Sequence, residues 1–309
     1  MAAEPLETIT VALWAANLAT RLNGIAAWIA TVDQELAEAN AAGARIFVMP
    51  EFVSEHWLSY APETLPVTEE ISWMAEQGEA AVAALKPLAA RYDMAILAGT
   101  MPVKAENGRD HLNRAWLMLP DGRTIAYDKV VLTPGEKNPD AWNLVPGDKI
   151  QVVEWQGLRM APLVCLDVEM PALAHRLASL DLDLILVPSM TALRSGYRRV
   201  FDCAKARAVE LQTLVCTVGA IGVPQRMEAR DSNISGAAVY TPCEAILGFD
   251  GIAGSIGPWS ETEGPGPMLI ARDLPVGTVR RLRHGHAEVW PGPWSAEHLT
   301  VEAHSGPRD

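Results

Sequence analysis

Apolar runs of strand length alternate with stretches of helical spacing along most of the chain. Residues 8–14 read as a first buried strand. Residues 17–40 then place apolar side chains at helical intervals, Ala42-Gly43 supplies a stop, and a second strand follows at 45–49. That is the beginning of a βαβ unit. A long helical pattern covers 68–92, with Thr68-Glu69-Glu70 at its start and Lys86-Pro87 as a kink or restart, and 94–99 is the next strand. Residues 114–119 and 124–127 flank Pro120-Asp121-Gly122-Arg123, whose Asp-Gly pair is a hairpin signal. Proline, glycine, asparagine and aspartate crowd 133–147, which reads as a loop.

An apolar run from Arg159 then delivers Cys165 to a turn, and Pro171 suits the first position of a helix reaching Leu180. Pro162 is unexpected inside this run. It removes a ladder donor, so an edge position or a bulge is expected there. Further strands are predicted at 182–187, 213–219, 236–240 and 268–274, with a helix at 197–211. Glycine, proline and serine between 248 and 267 suggest a turn-rich excursion, and regular patterning fades past Pro275. Strands alternating with helices predict an α/β protein with helices outside stacked sheets. No repeat of fixed period is visible.

Composition narrows the function classes. Among 309 residues 49% are hydrophobic, ample for a sizeable core. The net charge of −13 argues against nucleic-acid and anionic-membrane partners. No apolar stretch reaches bilayer-spanning length, and the first residues lack the basic and apolar regions of a secretory signal. Cys165, Cys203, Cys216 and Cys243 have neither the spacing of a disulfide framework nor that of a metal site, so a reduced, cytoplasmic setting without metal or cofactor is the simpler reading.

Three residues stand out chemically. A thiol at a strand tip, with a helix N-terminus nearby to lower its pKa, is how a nucleophile is prepared, although a free cysteine also commonly just fills a core. Glu51 ends the apolar strand Ile46-Phe47-Val48-Met49-Pro50, and Lys129 follows the hairpin. Taken singly, Glu51 reads as a helix cap and Lys129 as a solvated strand-edge charge.

Taken together they resemble the Glu-Lys-Cys triad of the nitrilase superfamily, the carbon–nitrogen hydrolases. The resemblance is carried by Met49-Pro50-Glu51, by Tyr127-Asp128-Lys129-Val130-Val131-Leu132-Thr133-Pro134-Gly135-Glu136, and by Val164-Cys165-Leu166-Asp167-Val168-Glu169-Met170-Pro171. It continues through 183–189 and 206–212 and covers the chain from about residue 8 to about residue 274. It implies a four-layer α-β-β-α sandwich and one domain over 1–309, with 275–309 as a C-terminal extension. Cys165 would attack a carbonyl carbon and hold the acyl group as a thioester; Glu51 would move the protons; Lys129, with the Leu166 N–H, would stabilise the oxyanion. Glu136 resembles a second carboxylate near the lysine.

Loops at 52–62, 133–147, 189–197 and 222–235 are the expected pocket walls, with Trp57, Tyr60, Ser189 and Met190 as candidate substrate contacts beside Leu166. Trp57 and Tyr60 read equally well as packing against a neighbouring helix. Leu166-Asp167 stand where nitrilases carry tryptophan and glutamate, which favours amides over nitriles. Asp167 is expected to bind local backbone N–H groups. Glu169 either caps a helix or meets a cationic substrate, and Tyr197-Arg198-Arg199 either approaches the pocket or only begins a helix. His284 and His286, with nearby arginines, could bind phosphate or metal, or lie in a solvated turn. The expectation is hydrolysis of a small amide or carbamoyl-like compound with water, releasing ammonia or an amine, by a homodimer or larger homo-oligomer. A nitrilase and a thioester-based acyltransferase are the alternatives, with a non-catalytic scaffold behind them.

Overall fold

Alternate residues of the first strand, β1 (Ile9–Trp14), enter two different cores: Val11 and Leu13 join one, Ala12 and Trp14 the other. Both faces are buried, which is why the strand reads as a continuous apolar run. The computed structural model describes residues 6–224 and 232–304. After β1 come α1 (Ile25–Ala41), β2 (Ile46–Val48), α2 (Glu70–Arg91), β3 (Ala95–Lys104), β4 (His111–Met118), β5 (Thr124–Asp128) and α3 (Pro134–Lys137). The second half holds β6 (Val153–Trp155), β7 (Leu158–Pro162), α4 (Leu166–Glu169), α5 (Pro171–Leu177), β8 (Leu184–Ser189), α6 (Arg194–Leu211), β9 (Leu214–Gly219), β10 (Ser235–Tyr240), β11 (Ile252–Trp259), β12 (Met268–Leu274) and α7 (Val276–Arg281).

The strands form two six-stranded mixed sheets, ordered β12-β1-β2-β3-β4-β5 and β11-β10-β9-β8-β7-β6. Each has a parallel centre, β1-β2-β3 in one and β7-β8-β9 in the other. Helices α1 and α2 cover the outer face of the first sheet, where Trp28, Val32, Leu36, Met74 and Leu85 pack with Trp14, Phe47 and Ile96. Helix α6 applies Val200, Phe201, Ala204 and Ala208 to the second sheet. The result is a four-layer α-β-β-α sandwich. Chain segments leave β2, β5, β7 and β8 at their C-terminal ends, where an open α/β sheet offers a crevice for a ligand.

Several elements differ from the sequence expectation for identifiable reasons. Helix α1 starts at Ile25, because Gly24 takes φ +98° at its N-cap and 18–24 are irregular, after Asn17 bridges to Ile221. Pro87 neither breaks nor restarts α2, whose last turn is retained by the burial of Leu85, Leu88 and Ala89. The 248–267 excursion contains β11, an edge strand paired only with β10 and interrupted by Gly254, Gly257 and Pro258. Short β6 and the C-terminal α7, the latter burying Val276 and Val279, were also hidden from the pattern.

Pro162 has a specific explanation. Leu163 and Cys165 donate their N–H groups to Leu186 and Pro188 of β8, so the Pro162 nitrogen faces the opposite side. There β6 pairs only as far as Met160, and no ladder donor is needed. No helix among the described residues is long and apolar enough to cross a membrane.

Candidate active site

Glu51 leaves β2 through a tight turn in which Phe52 adopts φ +46° and donates its N–H to the Thr100 hydroxyl at 2.8 Å. Cys165 leaves β7 through another, at φ +49° and ψ −106°, a backbone conformation that non-glycine residues adopt only when the surroundings impose it. The surroundings here are explicit. Cys165 N–H donates to the Pro188 carbonyl at 2.9 Å, and the fully buried Asp167 carboxylate accepts from Val164 N (2.9 Å), Val131 N (2.8 Å) and the Tyr127 hydroxyl (2.8 Å). Asp167 therefore ties the turn of the cysteine to the segment that follows Lys129, the backbone-binding role expected of it.

Lys129, just past β5, is 1% exposed and its ammonium donates to Glu51 Oε1 at 2.8 Å and to Glu136 Oε2 at 2.7 Å. Glu136 belongs to α3, inside the stretch expected to be a loop. A capping box holds it: its backbone N–H donates to the Thr133 hydroxyl, and its Oε2 accepts the Thr133 N–H at 2.8 Å. Asn113 of β4, not singled out in the sequence, completes the cluster. Its Nδ2 donates to Glu51 Oε1 at 2.9 Å and Glu136 Oε1 at 3.0 Å, and its backbone carbonyl accepts the backbone N–H of Lys129. The sequence offered no signal for it, since the strand was expected to begin at 114, one residue later.

Two carboxylates and one ammonium leave a net negative charge in a buried site. Burial raises the Glu51 pKa above the ordinary carboxylate value, Lys129 opposes the rise and Glu136 adds to it. For Lys129 burial lowers the pKa, but the Glu51 and Glu136 carboxylates outweigh it and the ammonium persists. The Cys165 thiol is pushed well up, first by burial and then by the Glu51 charge. This corrects the expectation of a thiol activated by a helix end: α4 is only four residues long, and the resting sulfur is protonated. The Cys165 Sγ donates to the Met190 carbonyl at 3.7 Å. Met190 N–H in turn donates to Glu51 Oε2 at 3.0 Å. One backbone residue after β8 thus holds acid and sulfur together.

Two cavities open onto this cluster and share Thr133, Met190 and Ala192 as walls. One, of about 220 Å³, is lined by Cys165, Leu166, Glu169 and Arg199; the other, of about 370 Å³, by Glu136, Trp142 and Asn233. Larger clefts of about 710 and 470 Å³ lie elsewhere and contain none of these ionisable residues.

Of the expected substrate contacts, Leu166 and Met190 line the smaller cavity. Trp57 and Tyr60 line neither. The 52–62 stretch coils into a 3-10 helix (Val53–Tyr60), which turns Trp57 edge-on to Trp28 of α1 at 5.3 Å and Tyr60 towards Trp73 of α2 at 5.4 Å. Ser189 is fully buried in β8 and donates to the Val218 carbonyl at 3.1 Å. Arg199 reaches the smaller cavity from α6. The 222–235 wall lies partly outside the described residues.

Asn113→Leu removes two donors from the carboxylates without changing the volume much. It is expected to lower kcat/KM about 10- to 100-fold, the effect of losing hydrogen bonds to charged groups. The acid limb of the pH profile should move upward, because ionised Glu51 loses a partner. An unchanged profile would reduce Asn113 to a packing role.

Comparison with known proteins agrees with this geometry. The family model described as carbon-nitrogen hydrolase matches residues 10–281. A probable hydrolase, YhcX of Bacillus subtilis, is 28% identical over 262 residues, which cover 84% of this chain and 50% of YhcX. The omega-amidase YafV of Yersinia enterocolitica is 30% identical over 180 residues, 57% of this chain and 62% of that protein. The chain thus spans between half and two thirds of the length of these two relatives. A mutant of the amidase from Nesterenkonia sp. AN1, solved in complex with butyramide, shares the fold with a TM-score of 0.66 at 22% identity, covering 90% of this chain and 95% of the other. The match runs through β1, every strand of both sheets and α7, and on that ground the chain belongs to the carbon–nitrogen hydrolase family.

Proposed function

We propose that the protein hydrolyses a small amide through a thioester on Cys165. The observation that carries this reading is a thiol lining a cavity and joined through Met190 to a buried carboxyl of raised pKa, which in turn pairs with a buried ammonium. The amidase names among the relatives support an amide over a nitrile, as does the butyramide bound to the Nesterenkonia protein.

In the first half-reaction Glu51 takes the thiol proton as Sγ bonds to the carbonyl carbon. The negative charge created on oxygen meets the remaining N–H of the Lys129 ammonium and the Leu166 N–H, which has no partner among the described residues. Glu51 then returns the proton to nitrogen, the C–N bond breaks, and ammonia leaves with the thioester behind. In the second, Glu51 removes a proton from water, the hydroxide oxygen adds to the thioester carbon, and the C–S bond breaks to give the carboxylic acid and the free thiol. Glu136 has both oxygens engaged by Lys129, Thr133 N and Asn113, so it positions the lysine and keeps it charged.

Rapid quench of the enzyme with butyramide should give an acyl adduct on the peptide containing Cys165, together with stoichiometric ammonia. The acid limb of kcat/KM should sit above the ordinary carboxylate range, because the base works only when Glu51 is ionised and its pKa is raised. Ammonia from butyronitrile and none from butyramide would overturn the amide reading.

A further inference from the structure

We propose that the cavity beside Cys165 receives an acyl chain with a zwitterionic far end, its ammonium against Glu169 and its carboxylate against Arg199. The proposal rests on the amide-hydrolysis reading and names its substrate class. Glu169 lies on α4, four residues after the nucleophile; Arg199 lies on α6, and both line the same 220 Å³ cavity as Cys165.

Their relation to each other is the telling feature. Glu169 Oε2 and Arg199 Nε are 3.5 Å apart, yet no hydrogen bond joins them, and among the described residues neither side chain makes one elsewhere. Compare Arg114 and Asp128, which form two hydrogen bonds at 2.6 and 2.9 Å. The Glu169 side chain is only 13% exposed, so burial raises its pKa and Arg199 opposes the rise. A desolvated carboxylate and a guanidinium with its donors unused form a dipolar wall.

Ligand charge follows from that wall. A lone carboxylate would bind Arg199 but face Glu169, and the catalytic cluster adds a further net negative charge nearby. A lone ammonium would meet Arg199. An apolar chain would strip water from both without replacing its hydrogen bonds. A zwitterion satisfies each partner at once, and the cavity is smaller than a drug-sized site, which suits an acyl chain of a few atoms.

Four primary amides distinguish these cases: glutamine, glutaramate, 4-aminobutanamide and butanamide. Ammonia release by the full chain should give glutamine a kcat/KM at least about tenfold above either singly charged amide, the factor a charge-assisted hydrogen bond supplies. In Glu169→Gln the preference for glutamine over glutaramate should fall towards one. In Arg199→Met the preference for glutamine over 4-aminobutanamide should do so. Calorimetry on Cys165→Ala should show the same order of affinities without turnover. Equal or better use of butanamide or of a singly charged amide overturns the proposal, as does a uniform effect of both variants on all four compounds. If the wild type releases ammonia from none of them, the amide-hydrolysis reading fails by itself, and the order of affinities on Cys165→Ala still decides this one.

Discussion

Cys165→Ala is expected to lower kcat by about four orders of magnitude or more, since loss of the atom that carries the acyl group removes the covalent route altogether. Folding should be nearly unaffected. The side chain is small, its one hydrogen bond is a weak 3.7 Å contact to the Met190 carbonyl, and the strained turn is imposed by backbone groups that alanine retains. Alanine at φ +49° bears the same strain as cysteine, so the thermal midpoint should move by no more than a few degrees. Ammonia release measured beside a melting curve checks both halves. Sustained turnover by this variant would remove sulfur from the mechanism.

Lys129→Met should damage both activity and stability. The ammonium is the partner of two carboxylates that are 2% and 3% exposed. Removing one member of a buried ionic cluster leaves charge uncompensated and destabilises by about 3–5 kcal/mol. Loss of an oxyanion donor should lower kcat a further 100- to 1000-fold in whatever fraction remains folded. The pH dependence gives a sign to test. With Lys129 gone, the folded-state pKa of Glu51 lies still further above the unfolded value, so the folded state binds more protons. The destabilisation is then full above the folded pKa and relieved as pH falls towards the unfolded value. Urea titrations at pH 8 and pH 5 should show the smaller loss at pH 5. The double variant Lys129→Met/Glu136→Gln should recover stability without activity. A single variant as stable as wild type at pH 8 would mean that the cluster is not held as charged groups.

Both effects stem from residues that the sequence already marked. Glu51, Lys129 and Cys165 each lie at the edge of an apolar segment, where singly they read as a cap, a surface charge and a core thiol, and their resemblance to the family triad is what joined them. Glu136 was legible only through the resemblance to the family, since the short helix that it and Thr133 cap was read as loop. Asn113 was not legible. A neutral amide just before the expected strand carries no mark of which side it faces or what it meets there.

The fold shows the same division. Doubly buried strands such as β1 and β8 announce themselves, because both faces demand apolar residues. Edge strands β6 and β11 do not, since one side meets no partner and the pattern dilutes. Trp57 and Tyr60 show the limit for side chains: aromatic content was visible at once, but whether a ring faces a pocket or a helix depends on how 53–60 coil. Local sequence has no term for that.

What the sequence determined by itself was the order of buried strands and helices, with one thiol, one lysine and one carboxylate set at the edges of apolar runs. These are local properties, fixed by which residues avoid water and which cannot. The tertiary structure alone decided that Asn113 bridges the two carboxylates, that Met190 links Glu51 to Cys165, that burial protonates the thiol, and that Glu169 and Arg199 share a wall. Those facts arise where two sheets bring segments as much as 139 residues apart to one crevice. Distance and dielectric are created there by packing, and no stretch of chain contains them.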